Sequence, residues 1–179
     1  MKKIALVAAL ALLAGPAFAQ SVAEKTGVNS VLGLSPTTPD FVKEVAVSDM
    51  FEIESSKLAA EKGDEATKTF ATQMVTDHTK TSSELKEAVA SDPKSPIPDA
   101  LDSSHRSKLD KLKGLSGADF NKQYADMQVS AHKDAVSLFQ RYAKGGDSEK
   151  LKSWASTTLT ALQHHLEMAQ TLDKTVRGS

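Results

Sequence analysis

From Thr38 onward the apolar residues of this chain recur every three or four positions through four long segments, the spacing that turns one helical face towards a core. The strict alternation of a half-buried strand is nearly absent. Thr38 can cap a first helix with Pro39 at its first position, and Gly63 stops it about seven turns later. A second helix covers 64 to 90 and ends before Asp92-Pro93, because proline disfavours helical backbone in the residue ahead of it. Ser116-Gly117-Ala118-Asp119 has capping-box spacing and opens a third helix, 116 to 144, closed by Gly145-Gly146. Asp147 is placed to cap a fourth that runs towards Val176.

Two of the three links are short glycine turns, which makes the helices they join antiparallel hairpins. The middle link carries Pro93, Pro96 and Pro98, then a short amphipathic stretch with Leu101, Leu109 and Leu112. The pattern predicts an all-α fold, a ferritin-like four-helix bundle with one long crossover between the second and third helices. An up-down-up-down bundle stays open, since the proline segment can fold back on itself. The organisation read from the chain is a signal peptide at 1–19, a flexible leader at 20–37 and the bundle domain at 38–176.

Helical wheels then single out polar residues among apolar ones. In the first helix Phe41, Val42, Val45, Ile53, Ala59 and Ala60 form one arc, extended by Phe51 and Leu58, and Glu52 falls near its middle. Glu54 points about 200 degrees away, towards solvent. The second helix groups Phe70, Ala71, Met74, Leu85, Ala88 and Val89 around His78, with Asp77 at the edge. In the third, Phe120, Tyr124, Met127, Ala131, Ala135, Leu138, Phe139 and Tyr142 surround Gln128, and His132 sits one turn on. The fourth turns His165 inward with Leu151, Ala155, Leu162, Leu166, Ala169 and Leu172, and leaves its neighbour His164 facing solvent. His105, in the crossover, belongs to no stripe and is expected at the surface.

Each helix thus offers one ionisable residue to the core, Glu52, His78, His132 and His165, slightly past its own midpoint. Packed together the four can share a layer. A carboxylate and three imidazoles are a sufficient ligand set for a single transition-metal ion, with iron, zinc or copper as candidates and Met74, one turn before His78, adding weight to copper. The alternative is an internal hydrogen-bond network that fixes helix register, with Gln128, Tyr124 and Asp77 taking part. A di-iron site is disfavoured, because it needs Glu-x-x-His on two helices and the residues three before the histidines are Val75, Val129 and Leu162. No phosphate loop, nucleophile elbow or His-Glu-x-x-His motif is present.

Compartment and charge narrow the function further. Lys2 and Lys3, the apolar run Ile4 to Ala14 and the small residues of Ala17-Phe18-Ala19 are in the order of a cleavable secretory signal, with cleavage before Gln20 and the periplasm as destination. The apolar run is shorter than the roughly 20 residues of a membrane span. With no cysteine in the chain, disulfides, thiolate ligands and a lipidated N-terminal Cys are excluded. Of 22 Lys and Arg, loss of Lys2 and Lys3 leaves 20 against 23 Asp and Glu, a weak charge of -3 that gives nucleic acid no basic face. The cluster Arg106, Lys108, Lys111 and Lys113 reads as solvated surface. Three functions remain open: a periplasmic protein holding a metal ion, a non-enzymatic envelope protein that binds a partner or forms an oligomer, and a mononuclear metal oxidoreductase.

The chain resembles the exported bacterial proteins of domain-of-unknown-function family 4142 over about 38 to 172. The matching stretches are Asp40-Phe41-Val42, Met50-Phe51-Glu52-Ile53-Glu54 through Lys57-Leu58-Ala59, Phe70-Ala71, Met74-Val75, Asp77-His78-Thr79, Leu115 to Phe120, Gln128, Ala131-His132, His165-Leu166 and Ala169. The resemblance implies an envelope location and a ferritin-like bundle, and it puts Glu52, Asp77, His78, His132 and His165 on the family's motif positions. It implies no particular reaction.

Overall fold

A computed structural model describes residues 28–178. The predicted signal peptide, and the leader before Val28, lie outside the described residues. The elements are α1 (Val28–Leu32), α2 (Thr38–Lys62), α3 (Glu65–Val89), α4 (Ser103–Lys113), α5 (Gly117–Gly145) and α6 (Glu149–Gly178). The four long helices are those expected, and no strand occurs among the described residues.

Their ends follow local chemistry, with three departures from expectation. The Thr37 hydroxyl, one residue earlier than expected, accepts from the Asp40 N–H and caps α2. Thr38 is thereby released to bond Asp147 and Tyr142 across the bundle. Asp147 is consequently not the cap of α6; the Ser148 hydroxyl accepts from the Leu151 N–H instead. Ser116 makes no side-chain cap, and Gly117, at φ 58, sets the entry to α5 by its left-handed backbone. Asp64 caps α3 through the Thr67 N–H at 2.8 Å, as its position before the helix requires. Between α2 and α3 the chain passes so close to itself that a Cβ on Gly63 would meet Thr67 at 2.6 Å and the Ala59 carbonyl at 2.7 Å, so only glycine fits.

The hairpins α2/α3 and α5/α6 pack with α2 beside α5 and α3 beside α6. Near one end Thr38 meets Asp147, and near the other Lys62 Nζ donates to the carbonyl of Lys113 at 2.9 Å and to that of Leu115. The link from α3 to α5 therefore travels the whole length of the bundle, and α5 runs parallel to α3. This is the ferritin-like topology with one long crossover, and the simple up-down-up-down alternative is eliminated. Asp102 caps α4 within that crossover, and Leu109 and Leu112 bury its inner face.

Apolar side chains form two clusters at different heights. One contains Phe41, Val45, Leu85, Phe139 and Leu162, with the Phe41 ring stacked 3.9 Å from that of Tyr142; the other contains Phe70, Met74, Leu112, Phe120 and Leu172. Each large side chain so buried contributes about 1.5–3 kcal/mol. Part of the leader lies on the bundle surface: α1 rests on α5, where Arg141 donates to the Leu34 carbonyl at 2.8 Å. Among the described residues no helix is long and apolar enough to cross a membrane.

Candidate metal centre

Between the two clusters lies a polar layer. Reading along each helix, it falls between Val45 and Ala59 on α2, Met74 and Leu85 on α3, Ala125 and Leu138 on α5, and Leu162 and Ala169 on α6. Glu52, His78, His132 and His165 all sit in it and are all buried. Glu54 and His164, their neighbours in sequence, are exposed, so the wheel separates each pair correctly. His105 departs from expectation: it is half-buried, with its ring 5.4 Å from that of Phe51 and its Nδ1 3.0 Å from Asp102.

The three imidazoles form a near-regular triangle, with ring centroids 5.5, 5.6 and 5.5 Å apart. One nitrogen from each lies within 4.8 Å of the others, and Glu52 is not part of that set. Sequence had offered four candidate ligands as equals. The bundle brings the three histidines of α3, α5 and α6 together and leaves Glu52, the member from α2, outside that set.

The outward nitrogen of every ring meets an oxygen that can only accept. His78 Nδ1 is 2.8 Å from the Asp49 carboxylate, His132 Nδ1 is 2.9 Å from the Gln128 carbonyl, and His165 Nε2 is 2.9 Å from the Asp77 carboxylate. Each of those nitrogens must therefore carry the hydrogen, which fixes the neutral tautomer. A lone pair is left on His78 Nε2, His132 Nε2 and His165 Nδ1, and those three atoms are buried without a hydrogen-bond partner.

Asp49 is the participant that sequence reading passes over. It lies one turn before Glu52 and one turn after Val45, hence on the buried face, and the wheel alone could have marked it. Buried beside His78, it also accepts from Ser82 at 3.3 Å. Asp77 differs in reaching solvent, its side chain being 32% exposed, and it accepts from Gln73 at 2.7 Å. On the Glu52 side Gln128 Nε2 donates to Ser55 at 3.4 Å, and Ser56 pairs with the Tyr124 hydroxyl at 2.8 Å.

Burial governs the charge states. It pushes the Glu52 carboxyl up to about 7, against a weaker downward pull from His78 and Gln128. It drives His132 down to about 3, helped by the neighbouring His78 and His165, and it lowers His165 as well. Burial alone would lower His78 too, but Asp49, Glu52 and Asp77 together outweigh it and hold that imidazole above its ordinary value. Three rings with fixed tautomers and converging lone pairs suit one transition-metal ion. Nitrogens about 2.0–2.1 Å from a common ion stand about 3.4 Å apart, so the three rings would draw inward from the 4.8 Å within which they lie.

Comparison with known proteins agrees with this architecture. The solved structure described as CopM in the Cu(II)-bound form has the same fold, with a TM-score of 0.66 and 14% sequence identity, covering 79% of this chain and 99% of that one. No curated protein matches the chain. The family profile of a domain of unknown function, DUF4142, matches residues 23–172, which takes in α1 to α5 and most of α6, and the chain belongs to that family.

Proposed function

We propose that this chain is an exported protein that holds one divalent transition-metal ion in its bundle core, bound by His78 Nε2, His132 Nε2 and His165 Nδ1. The observation that carries this reading is the convergence of three buried nitrogen lone pairs, each aimed inward because the other ring nitrogen donates outward. Such outer partners orient metal-binding imidazoles and raise their basicity. Charge supports a divalent ion: imidazoles that ligate through a lone pair are neutral, and Asp49 and Asp77, bonded to two of them, supply two negative charges. A purely structural role for the layer leaves buried acceptors unbonded at a cost of about 1–3 kcal/mol each.

Cu(II) is the first ion to test, since CopM, a bundle of the same fold, was solved with it bound; zinc and iron follow. Export rests on the order of Lys2, Lys3, the apolar run and Ala17-Phe18-Ala19, and mass spectrometry of the secreted chain should find Gln20 at its N-terminus. Untagged protein purified from the periplasm should carry one equivalent of metal by elemental analysis. Replacing His132 by Ala should remove it. Protein that stays metal-free after incubation with Cu(II), Zn(II) and Fe(II) would overturn the reading.

A further inference from the structure

The layer contains three carboxylates, and they are not equivalent. Asp49 accepts from His78 and Ser82, and Asp77 accepts from His165 and Gln73. Glu52 is 1% exposed, and neither of its oxygens has a hydrogen-bond partner. Beside it Gln128 Oε1 is also unpartnered, because the amide nitrogen of that residue is turned to Ser55. Gln128 gives that carboxylate only a weak pull, and a buried carboxylate so poor in donors is expensive to keep charged; the groups that offset the cost are a proton or a cation. The cation to hand is the ion of the three-imidazole site, which occupies the same buried layer of the bundle as Glu52.

Resting on that reading, we infer that Glu52 is the residue that sets the site's selectivity for a divalent over a monovalent ion, favouring Cu(II) and Zn(II) against Cu(I). Three neutral imidazoles compensate none of the ion's charge, so fixed charge around them contributes to the discrimination, beside the geometry each ion prefers. Coulomb energy scales with the product of the charges, so a single negative charge stabilises a doubly charged ion twice as much as a singly charged one. Asp49 and Asp77 act on the ion through the rings they orient, and Asp77 is also screened by solvent. Glu52 adds to them a charge that no ring N–H shares, in a low-dielectric setting.

The test is a comparison of wild type with Glu52→Gln, which keeps the shape and removes the charge, and with Glu54→Gln, an exposed charge on the same helix. Affinities for Cu(II), Zn(II) and, under reducing conditions, Cu(I) are measured above neutral pH by competition with chelators of known affinity. Circular dichroism verifies that each variant is folded, and Glu52→Leu serves in place of Glu52→Gln if the latter is not. The expected result is a loss of about 10- to 100-fold for Cu(II) and Zn(II) in the Glu52 variant. Cu(I) should lose no more than about the square root of that factor, by the same charge scaling, and Glu54→Gln should change neither. Equal losses for Cu(I) and Cu(II), or no loss at all, overturn the role of Glu52 while the imidazole site stands. A wild type that binds none of the three ions overturns the site itself.

Discussion

Two polar clusters in this bundle, one opening to solvent at Asp147 and one buried, follow opposite rules. Near one end, Thr38, Tyr142 and Asp147 tie α2 and α5 to the turn before α6, and the Asp147 carboxylate takes the Thr38 N–H, the Thr38 hydroxyl and the Tyr142 hydroxyl together. None of their side-chain atoms is left buried without a partner. In the central layer, six atoms are left without one: both oxygens of Glu52, Oε1 of Gln128, His78 Nε2, His132 Nε2 and His165 Nδ1. A network whose only task is to lock helices together satisfies itself, as the end cluster does. The central layer keeps its inward atoms free and bonds its outward ones, which is the arrangement of a site prepared for something else.

The largest effect that separates the clusters is loss of the ion. His78→Ala or His132→Ala should abolish stoichiometric binding and with it the ligand-dependent rise in thermal stability, about 2.7 kcal/mol for wild type at a hundredfold excess of free ion over Kd. Tyr142→Phe, in the end cluster, should leave that rise intact.

The pH dependence of the ion-free protein comes next. Glu52 has an ordinary value of 4.5 and about 7 in the fold, so as pH climbs through that window the unfolded chain ionises first and stability falls, by on the order of 3 kcal/mol. His132 acts in the other direction, at 6.5 when unfolded and about 3 in the fold, so its contribution is lost as pH falls below 6.5. Between 4.5 and 6.5 the two slopes oppose and largely cancel, so denaturant titrations should show Glu52→Gln unmasking a rise in stability with pH across that window. A profile that the mutation leaves unchanged would place the titrating group elsewhere.

Outer partners should rank by burial. Asp49→Asn should weaken metal binding by about 10- to 100-fold, and Asp77→Asn by less, since water can replace its hydrogen bond to His165. Competition assays with the two variants side by side read this order, and an equal or reversed pair would contradict it. The smallest changes belong to the exposed neighbours: Glu54→Ala and His164→Ala should shift chemical-denaturation stability by no more than about 0.5 kcal/mol.

Much of this was legible before any coordinates. Caps, glycines and a period of 3.6 place all four long helices, because those signals are local. The wheel separates Glu52 from Glu54 and His165 from His164, since a 100-degree step per residue is a property of the helix alone. What it cannot supply is the distance between side chains on different helices, which is why Glu52 reads as an equal of the three histidines and the fold sets it apart from them. Asp49 was missed for a different reason: an acid on an apolar face is recognisable only when every residue of that face is scored, polar ones included. The cap assignments at Thr38 and Asp147 failed because both residues are engaged in a contact 109 positions apart in sequence, which no local rule sees.

The central claim is that His78, His132 and His165 converge on one ion. X-ray absorption spectroscopy of the mature protein loaded with one equivalent of Cu(II) or Zn(II) tests it most directly. The account predicts three imidazole nitrogens at about 2.0–2.1 Å, with the multiple-scattering signature of the rings. A shell made only of oxygen atoms, or one that persists unchanged in a His78→Ala, His132→Ala double variant, would contradict it.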